Sequence, residues 1–214
     1  MRKYKADLHI HTVLSPCGSL EMSPQAIVMA AKTKGLSIIG ITDHNHTGQC
    51  EVVKSLAAEH DIFVLCGAEI TTKEEAHCLT FFETQQQYKK FQKIIDDKII
   101  KTKNNPDIFG YQIIVDKKEN IIQQIDHLLI SATTLSVEEL SDIVYEMNGI
   151  FIPAHVNRQN NSLISQLGFI PFDLKFDALE ISRHTTKRAF IKANSYLKDK
   201  IFITSSDAHF QNDI

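Results

Sequence analysis

No Cys-x-x-Cys pair occurs among the four cysteines, Cys17, Cys50, Cys66 and Cys78. Their spacing excludes a zinc ribbon or a dithiol redox motif and suits the reduced thiols of a cytoplasmic protein. No apolar run approaches the roughly 20 residues needed to cross a bilayer, so no membrane association is expected. The segment from Met1 to Asp7 carries Arg2, Lys3 and Lys5, then meets acidic and histidine residues where a secretory leader would turn apolar. Neither sign of charge dominates: a formal net charge of -3 and a pI of 6.4 give no global attraction to nucleic acid. Internal repeats, low-complexity tracts and a linker long enough to separate two domains are also missing. The 214 residues are therefore expected to form one domain spanning 1–214. With 43% hydrophobic and 23% charged residues, it can bury a core without covalent staples.

What is present alternates between helical and strand periods. Lys5 to Ile10 reads as a first strand. Ser23-Pro24 followed by Ala26, Ile27, Ala30 and Ala31 reads as an N-cap, a proline at the first helical position and an amphipathic helix that Gly35 ends. Ser37 to Thr42 is an apolar run of strand length, the kind found where both sheet faces are covered. Helix-like Glu51 to Glu59, strand-like Ile62 to Cys66 and His77 to Phe82, and helix-like Tyr88 to Lys101 follow. Tyr111 to Val115 and Asn120 to Gln124 are expected to pair as a hairpin. Ser136 opens a helix with Glu139 at capping-box spacing, and Gly149 closes it. Ile150 to Ala154, Ala178 to Ile181 and Ile201 to Thr204 supply three more strands, with Arg188 to Leu197 helical between the last two. About seven strands alternating with helices predict a parallel α/β architecture, an open sheet or a barrel. The segment 83–134 exceeds a simple connection, and it is expected to be a surface excursion, a lid or a flanking hairpin.

Ten histidines are many for this length, and five lie at or just beyond the ends of expected strands. In Asp7-Leu8-His9-Ile10-His11 the two-residue strand period projects His9 and His11 to one side, which suits two imidazoles gripping one ion. Thr42-Asp43-His44 and Glu69 follow apolar runs, and His77 begins one. His155 ends another, and Asp207 and His209 follow the last. Parallel α/β folds gather their sites at the carboxyl ends of strands, so this distribution predicts one polar cluster. Imidazole mixed with carboxylate, without paired cysteines, favours zinc, manganese or iron. There are more ligands than one ion can use. Two ions a few ångströms apart would polarise a phosphoryl oxygen, generate a hydroxide near neutral pH and stabilise the leaving oxygen, so phosphoester hydrolysis is the expected reaction.

The series His9-x-His11, Thr42-Asp43-His44, Gly67-Ala68-Glu69, His77, Pro153-Ala154-His155 and Ser206-Asp207-Ala208-His209 resembles the PHP domain, named for polymerase and histidinol phosphatase. The resemblance spans nearly the whole chain. It implies a distorted (β/α)7 barrel with two or three divalent metal ions at its C-terminal mouth, and phosphomonoester or phosphodiester hydrolysis by a metal-bound hydroxide. It further implies that His9, His11 and Asp207 hold a first metal, that Glu69 bridges to a second held by His77 and His155, and that His44 and His209 belong to a third. Where many members carry Ser-Asp-Gly after the first motif, this chain reads Ser15-Pro16-Cys17-Gly18, leaving Cys17 as a thiolate ligand or as a small residue beside a turn. The chain ends five residues after His209, so the last barrel helix is expected to be short or absent.

Arg158 and Arg183 lie just past strand ends, where a guanidinium could hold a substrate phosphate or pair with a surface carboxylate. Asp43 and Asp7 neighbour ligand positions and could orient them or cap a turn. His46, His60, His127 and His184 are expected at the surface or behind the ligands, with His46 the nearest to an exception. The substrate expected is a small phosphorylated metabolite, a nucleotide or a short oligonucleotide, with long nucleic acid disfavoured by the charge. Two other classes compete: a metal-binding module without turnover, and an amidohydrolase-like hydrolase of carbon-nitrogen bonds.

Overall fold

The computed structural model describes residues 3–214, so Arg2 of the basic N-terminal cluster lies outside the described residues. The elements in chain order are β1 (Ala6–Ile10), α1 (Pro24–Thr33), β2 (Ile38–Ile41), α2 (Cys50–Ala57), β3 (Phe63–Thr71), β4 (His77–Phe82), α3 (Gln85–Lys98) and α4 (Pro106–Phe109). They continue as β5 (Ile113–Val115), β6 (Ile121–Gln124), α5 (Val137–Glu146), β7 (Ile150–Pro153), α6 (Leu163–Leu167), β8 (Leu179–Glu180), α7 (Lys187–Ala193) and β9 (Phe202–Ile203). Local chemistry sets the helix starts. The Ser23 hydroxyl accepts the Ala26 N–H ahead of Pro24, and Thr84 with Gln87 and Ser136 with Glu139 close reciprocal capping boxes. Gly35 turns out of α1 at φ +68. After α5 that role falls to Asn148 at φ +53, one residue before the Gly149 expected from sequence.

Five strands form one sheet in the order β1-β2-β3-β4-β7, and β8 pairs with β9. Pairing is parallel for β1–β2, β2–β3 and β8–β9 but antiparallel on both sides of β4, so the all-parallel expectation is corrected. The physical reason is a short connection: Thr72 accepts the Glu75 N–H and donates to Ala76, which folds β4 straight back along β3. This pairing also carries β3 on to Thr71, past the expected end at Cys66. Gly67 permits the close approach, because a Cβ there would meet the Thr80 carbonyl oxygen at 1.7 Å.

Edge strand β7 meets β8, and edge strand β1 meets the segment just after β9, which requires the sheet to curl. Phe151 accepts from Asp177, and Val156 donates to the Glu180 carbonyl. Across the other seam Ala208 donates to His9 and accepts from His11. The ladder itself stops at these seams, so the observed unit is a curled five-stranded sheet closed off by a two-stranded pair, not a continuous seven-stranded ladder. Leu79, Phe81, Ile152, Ala154 and Ala178 fill its inside. Outside, Ile27 and Ala31 of α1, Val53 of α2, Phe91 and Ile95 of α3 and Leu140 and Val144 of α5 pack on the strands. Helix α3 thus belongs to the main layer. The hairpin β5–β6 packs Ile113 and Val115 on Val13, and Ile114, Ile125 and Leu129 on Leu14, just after His11.

Candidate metal centre

Reversing β4 puts its first residue, His77, beside the carboxyl ends of the other strands, so every ligand position singled out from sequence except Cys17 converges there. On β1 the pairing with β2 slips by one residue between Asp7 and Ile10, a bulge that re-aims the chain at His9. His9 and His11 are fully buried, with their Nε2 atoms 3.1 Å apart. Glu69, 1% exposed, stands at the middle. Its Oε1 lies 3.0 Å from His77 Nδ1, 3.1 Å from His155 Nε2 and 3.3 Å from His9 Nε2. Its Oε2 lies 3.3 Å from His11 Nε2 and 3.2 Å from His44 Nδ1. Asp207 Oδ1 reaches His9 Nε2 at 3.2 Å and His11 Nε2 at 3.3 Å, and the His209 ring stacks on His11 at 4.2 Å. Three sets have ligand atoms mutually within 4.8 Å: His9, His11, Glu69 and Asp207; His44, Glu69 and His77; His11, His44 and His209.

Behind the ligands lie groups that accept hydrogen bonds. Glu180, at the end of β8, places Oε1 and Oε2 at 3.1 and 3.0 Å from His9 Nδ1. Ser15 donates its single hydroxyl proton to Asp43 at 2.7 Å, so at 3.0 Å from His11 Nδ1 it must accept. Asp43 also takes the Thr12 N–H and hydroxyl, and Asp7 takes the backbone N–H of His9 and of Ser206. Both aspartates therefore orient the ligand segments. Sequence reasoning missed Glu180; its one signal was an acidic residue inside the otherwise apolar run Ala178 to Ile181.

Whether a cation fits follows from these protons. With both Nδ1 atoms facing acceptors, the lone pairs of His9 and His11 Nε2 face one another at 3.1 Å amid two carboxylates, an arrangement that needs positive charge at its centre. Burial opposes a charged His9, yet Glu180, Glu69 and Asp207 outweigh it and hold its pKa well above the ordinary imidazole value. His11 is raised against burial by Asp207 and Glu69. Burial, reinforced by His11, pushes His44 well down and His209 down to about 4, so both offer free lone pairs near neutral pH. Glu69, despite burial, is held well below the usual carboxylate range by His77 and His9. The buried His44 Nδ1 and His155 Nδ1 have no hydrogen-bond partner, and the former sits near Glu69 without alignment for a bond. The donor set fits divalent metal ions.

The profile of the PHP domain matches residues 7–163. The chain belongs to the PHP domain family. Two uncharacterized proteins of Methanocaldococcus jannaschii are related to this PHP domain. One is 40% identical over 79 residues, covering 33% of this chain and 46% of the other. The second is 26% identical over 163 residues, covering 76% and 18%. Among solved structures, endonuclease Q of Pyrococcus furiosus, described as lesion-specific, superposes with a TM-score of 0.70 at 21% identity over 98% of this chain and 49% of that one. A provisionally assigned metal-dependent phosphoesterase of Bifidobacterium adolescentis gives 0.64 at 17% identity over 98% and 89%. An amidohydrolase of Chromobacterium violaceum gives 0.63 at 16% over 96% and 87%. At these identities the likeness is one of fold. The chain spans half or less of the length of the curated relatives and of the endonuclease.

Beside the histidine and carboxylate cluster the PHP domain opens a cleft of about 390 Å³ lined by Cys17, His155, Arg158, Arg183, Asp207 and His209 among others. Arg158 reaches Asp207 Oδ2 at 2.6 Å with its side chain 43% exposed, and Arg183 pairs with Asp213 at 2.9 Å. Cys17 is exposed at the cleft and belongs to none of the three ligand-spaced sets. Its loop is tied to the site on both sides, through Ser15 to His11 and through the Ser19 N–H to the His209 carbonyl. His46 is buried away from the cluster and accepts the Gly48 N–H, with Asp96 and His127 as its charged surroundings. His184 is exposed on the cleft wall, and His60 lies in a 3-10 turn after α2. Among the described residues no helix is long and apolar enough to cross a membrane.

Proposed function

We propose that this PHP domain hydrolyses phosphoesters with two or three divalent metal ions, zinc, manganese or iron. The observation that carries the reading is the convergence of five imidazoles on the single buried carboxylate of Glu69, with Asp207 facing the first two. In this reading His9, His11 and Asp207 would hold one ion, His77 and His155 a second, and His44 and His209, with Cys17 at the cleft, a third, with Glu69 shared between the first two. When bound, such ions would polarise a phosphoryl oxygen and supply a water-derived nucleophile near neutral pH. Arg158 leaves part of its guanidinium free beside Asp207, where it can take phosphate oxygens, and Arg183 lines the same wall. A cleft of this volume accommodates a small phosphorylated metabolite or a nucleotide.

One observation favours a second substrate class. An endonuclease Q structure holding a 27-mer duplex with an abasic lesion at its active site shares this fold at a TM-score of 0.68, which brings nucleic acid back among the candidates that the net charge argued against. Carbon-nitrogen hydrolysis has the amidohydrolase fold in its favour. Against it, no lysine lines the cleft among the described residues. Metal analysis of protein purified without added metal, beside hydrolysis of p-nitrophenyl phosphate, bis-p-nitrophenyl phosphate and an abasic-site duplex, separates the readings. Two or three metals with turnover of an ester supports the proposal, and the preferred ester names the class. Metal without turnover of any of the three favours a binding module, and no metal under any loading condition refutes the proposal.

A further inference from the structure

We propose that Glu180 is the positioning residue that commits both His9 and His155 to metal binding, one carboxylate setting ligands from two separate strands. The inference rests on the metal reading above. Glu180 is 1% exposed, and it faces two histidines. Its Oε1 and Oε2 lie 3.1 and 3.0 Å from His9 Nδ1, and Oε2 also accepts the backbone N–H of His155 at 2.8 Å. An ionised carboxylate only accepts, so in neutral His9 the proton resides on Nδ1 and the Nε2 lone pair is aimed at His11, Glu69 and Asp207.

The second bond acts on the backbone. His155 has φ +29, a conformation costly for a residue with a Cβ and kept only where surrounding contacts determine it. Glu180 holds its N–H on one side, while on the other its Nε2 lies 3.1 Å from Glu69 Oε1. Residues 9 and 155 thus share one anchor, and their rings, stacked with centroids 5.8 Å apart, converge on the same oxygen of Glu69. Glutamine at position 180 keeps the shape but exchanges one acceptor for a donor. With its oxygen kept on the His155 N–H and 3.0 Å from His9 Nδ1, its amide nitrogen stands where Oε1 was, 3.1 Å from the same atom, and adds a donor that competes for the wrong tautomer, in which Nε2 carries the proton.

The test uses the cadmium-113-loaded protein with nitrogen-15 histidine. In the wild type, His9 should couple to cadmium through Nε2 and carry a proton on Nδ1. In Glu180→Gln, chelator competition should show cadmium affinity lower by about 10–100-fold, with the His9 coupling weakened or lost while the protein remains folded by circular dichroism. Unchanged affinity and coupling in Glu180→Gln, or wild-type coupling through Nδ1, overturns this inference alone. Failure of the wild type to take up cadmium sinks the metal reading and this inference together. If Glu180→Gln does not fold, the nitrogen through which wild-type His9 couples decides.

Discussion

At the scale of single residues the site divides into atoms that face the centre and atoms that hold them. Replacing Glu69 with alanine removes the carboxylate that touches five imidazoles, and metal content with phosphoesterase activity should fall by at least about 100-fold, measured by elemental analysis and ester turnover. His9→Ala should do the same, whereas His46→Ala, outside the cluster, should leave metal content unchanged. Cys17 is exposed, so Cys17→Asp should shift stability by no more than about 0.5 kcal/mol in urea titration while leaving or raising activity. A large loss of stability would show that the thiol is packed after all. The eight inward-facing residues were legible because histidine and carboxylate at strand ends are poor core residues with one good use. Glu180 was not, because its partners His9 and the His155 amide lie 171 and 25 residues away, and no local spacing reports them.

Among the elements, caps and hydrophobic periods were readable, since both depend on neighbours a few residues apart. Ser136 and Glu139 announced α5, and Ser23-Pro24 announced α1. Ser136→Ala should cost about 1 kcal/mol of stability in a urea titration, because it leaves the Glu139 N–H without its side-chain acceptor. Strand direction was not readable, because the apolar pattern of His77 to Phe82 serves a parallel and an antiparallel neighbour alike. The clue was the connection from Thr71 to His77, too short for a crossover back to a parallel start. Helices α4 and α6, of 4 and 5 residues, are too short for a periodic signal. Gly67→Val should disrupt the β3–β4 ladder and with it the Glu69–His77 contact. Loss of metal together with weakened cooperative melting would show that the hairpin holds Glu69 and His77 in the site.

For the whole molecule, the opposed shifts of the histidines give the metal-free protein a stability maximum in pH. His44 and His209 titrate lower in the folded chain than the ordinary 6.5, His209 at about 4. Their contribution is complete above 6.5 and is lost as pH falls toward 4, where the unfolded chain binds more protons. His9 and His11 titrate higher when folded; their contribution is complete below 6.5 and is lost as pH rises through their raised values. Melting temperatures of chelator-treated protein should therefore peak near pH 6.5. Loading with zinc or manganese should flatten the alkaline side, because cations replace the protons that His9 and His11 held. The layered α/β architecture was legible at this scale, but the seams were not, since they depend on single bonds between remote segments. Nor was the seating of the β5–β6 hairpin on Val13 and Leu14, which joins a surface excursion to the loop beside the site.

One of those seams has a mechanical meaning. Ser206 bonds to the carbonyl of His9, 197 positions away in sequence, and Asp207 and His9 face the same point. An ion gripped there by both would act as a reversible cross-link closing residues 9–207 into one loop. Such a link removes more freedom from an unfolded polymer the longer the loop it closes. A pulling force applied to residues flanking this loop would then load the metal grip before it loaded the strands between.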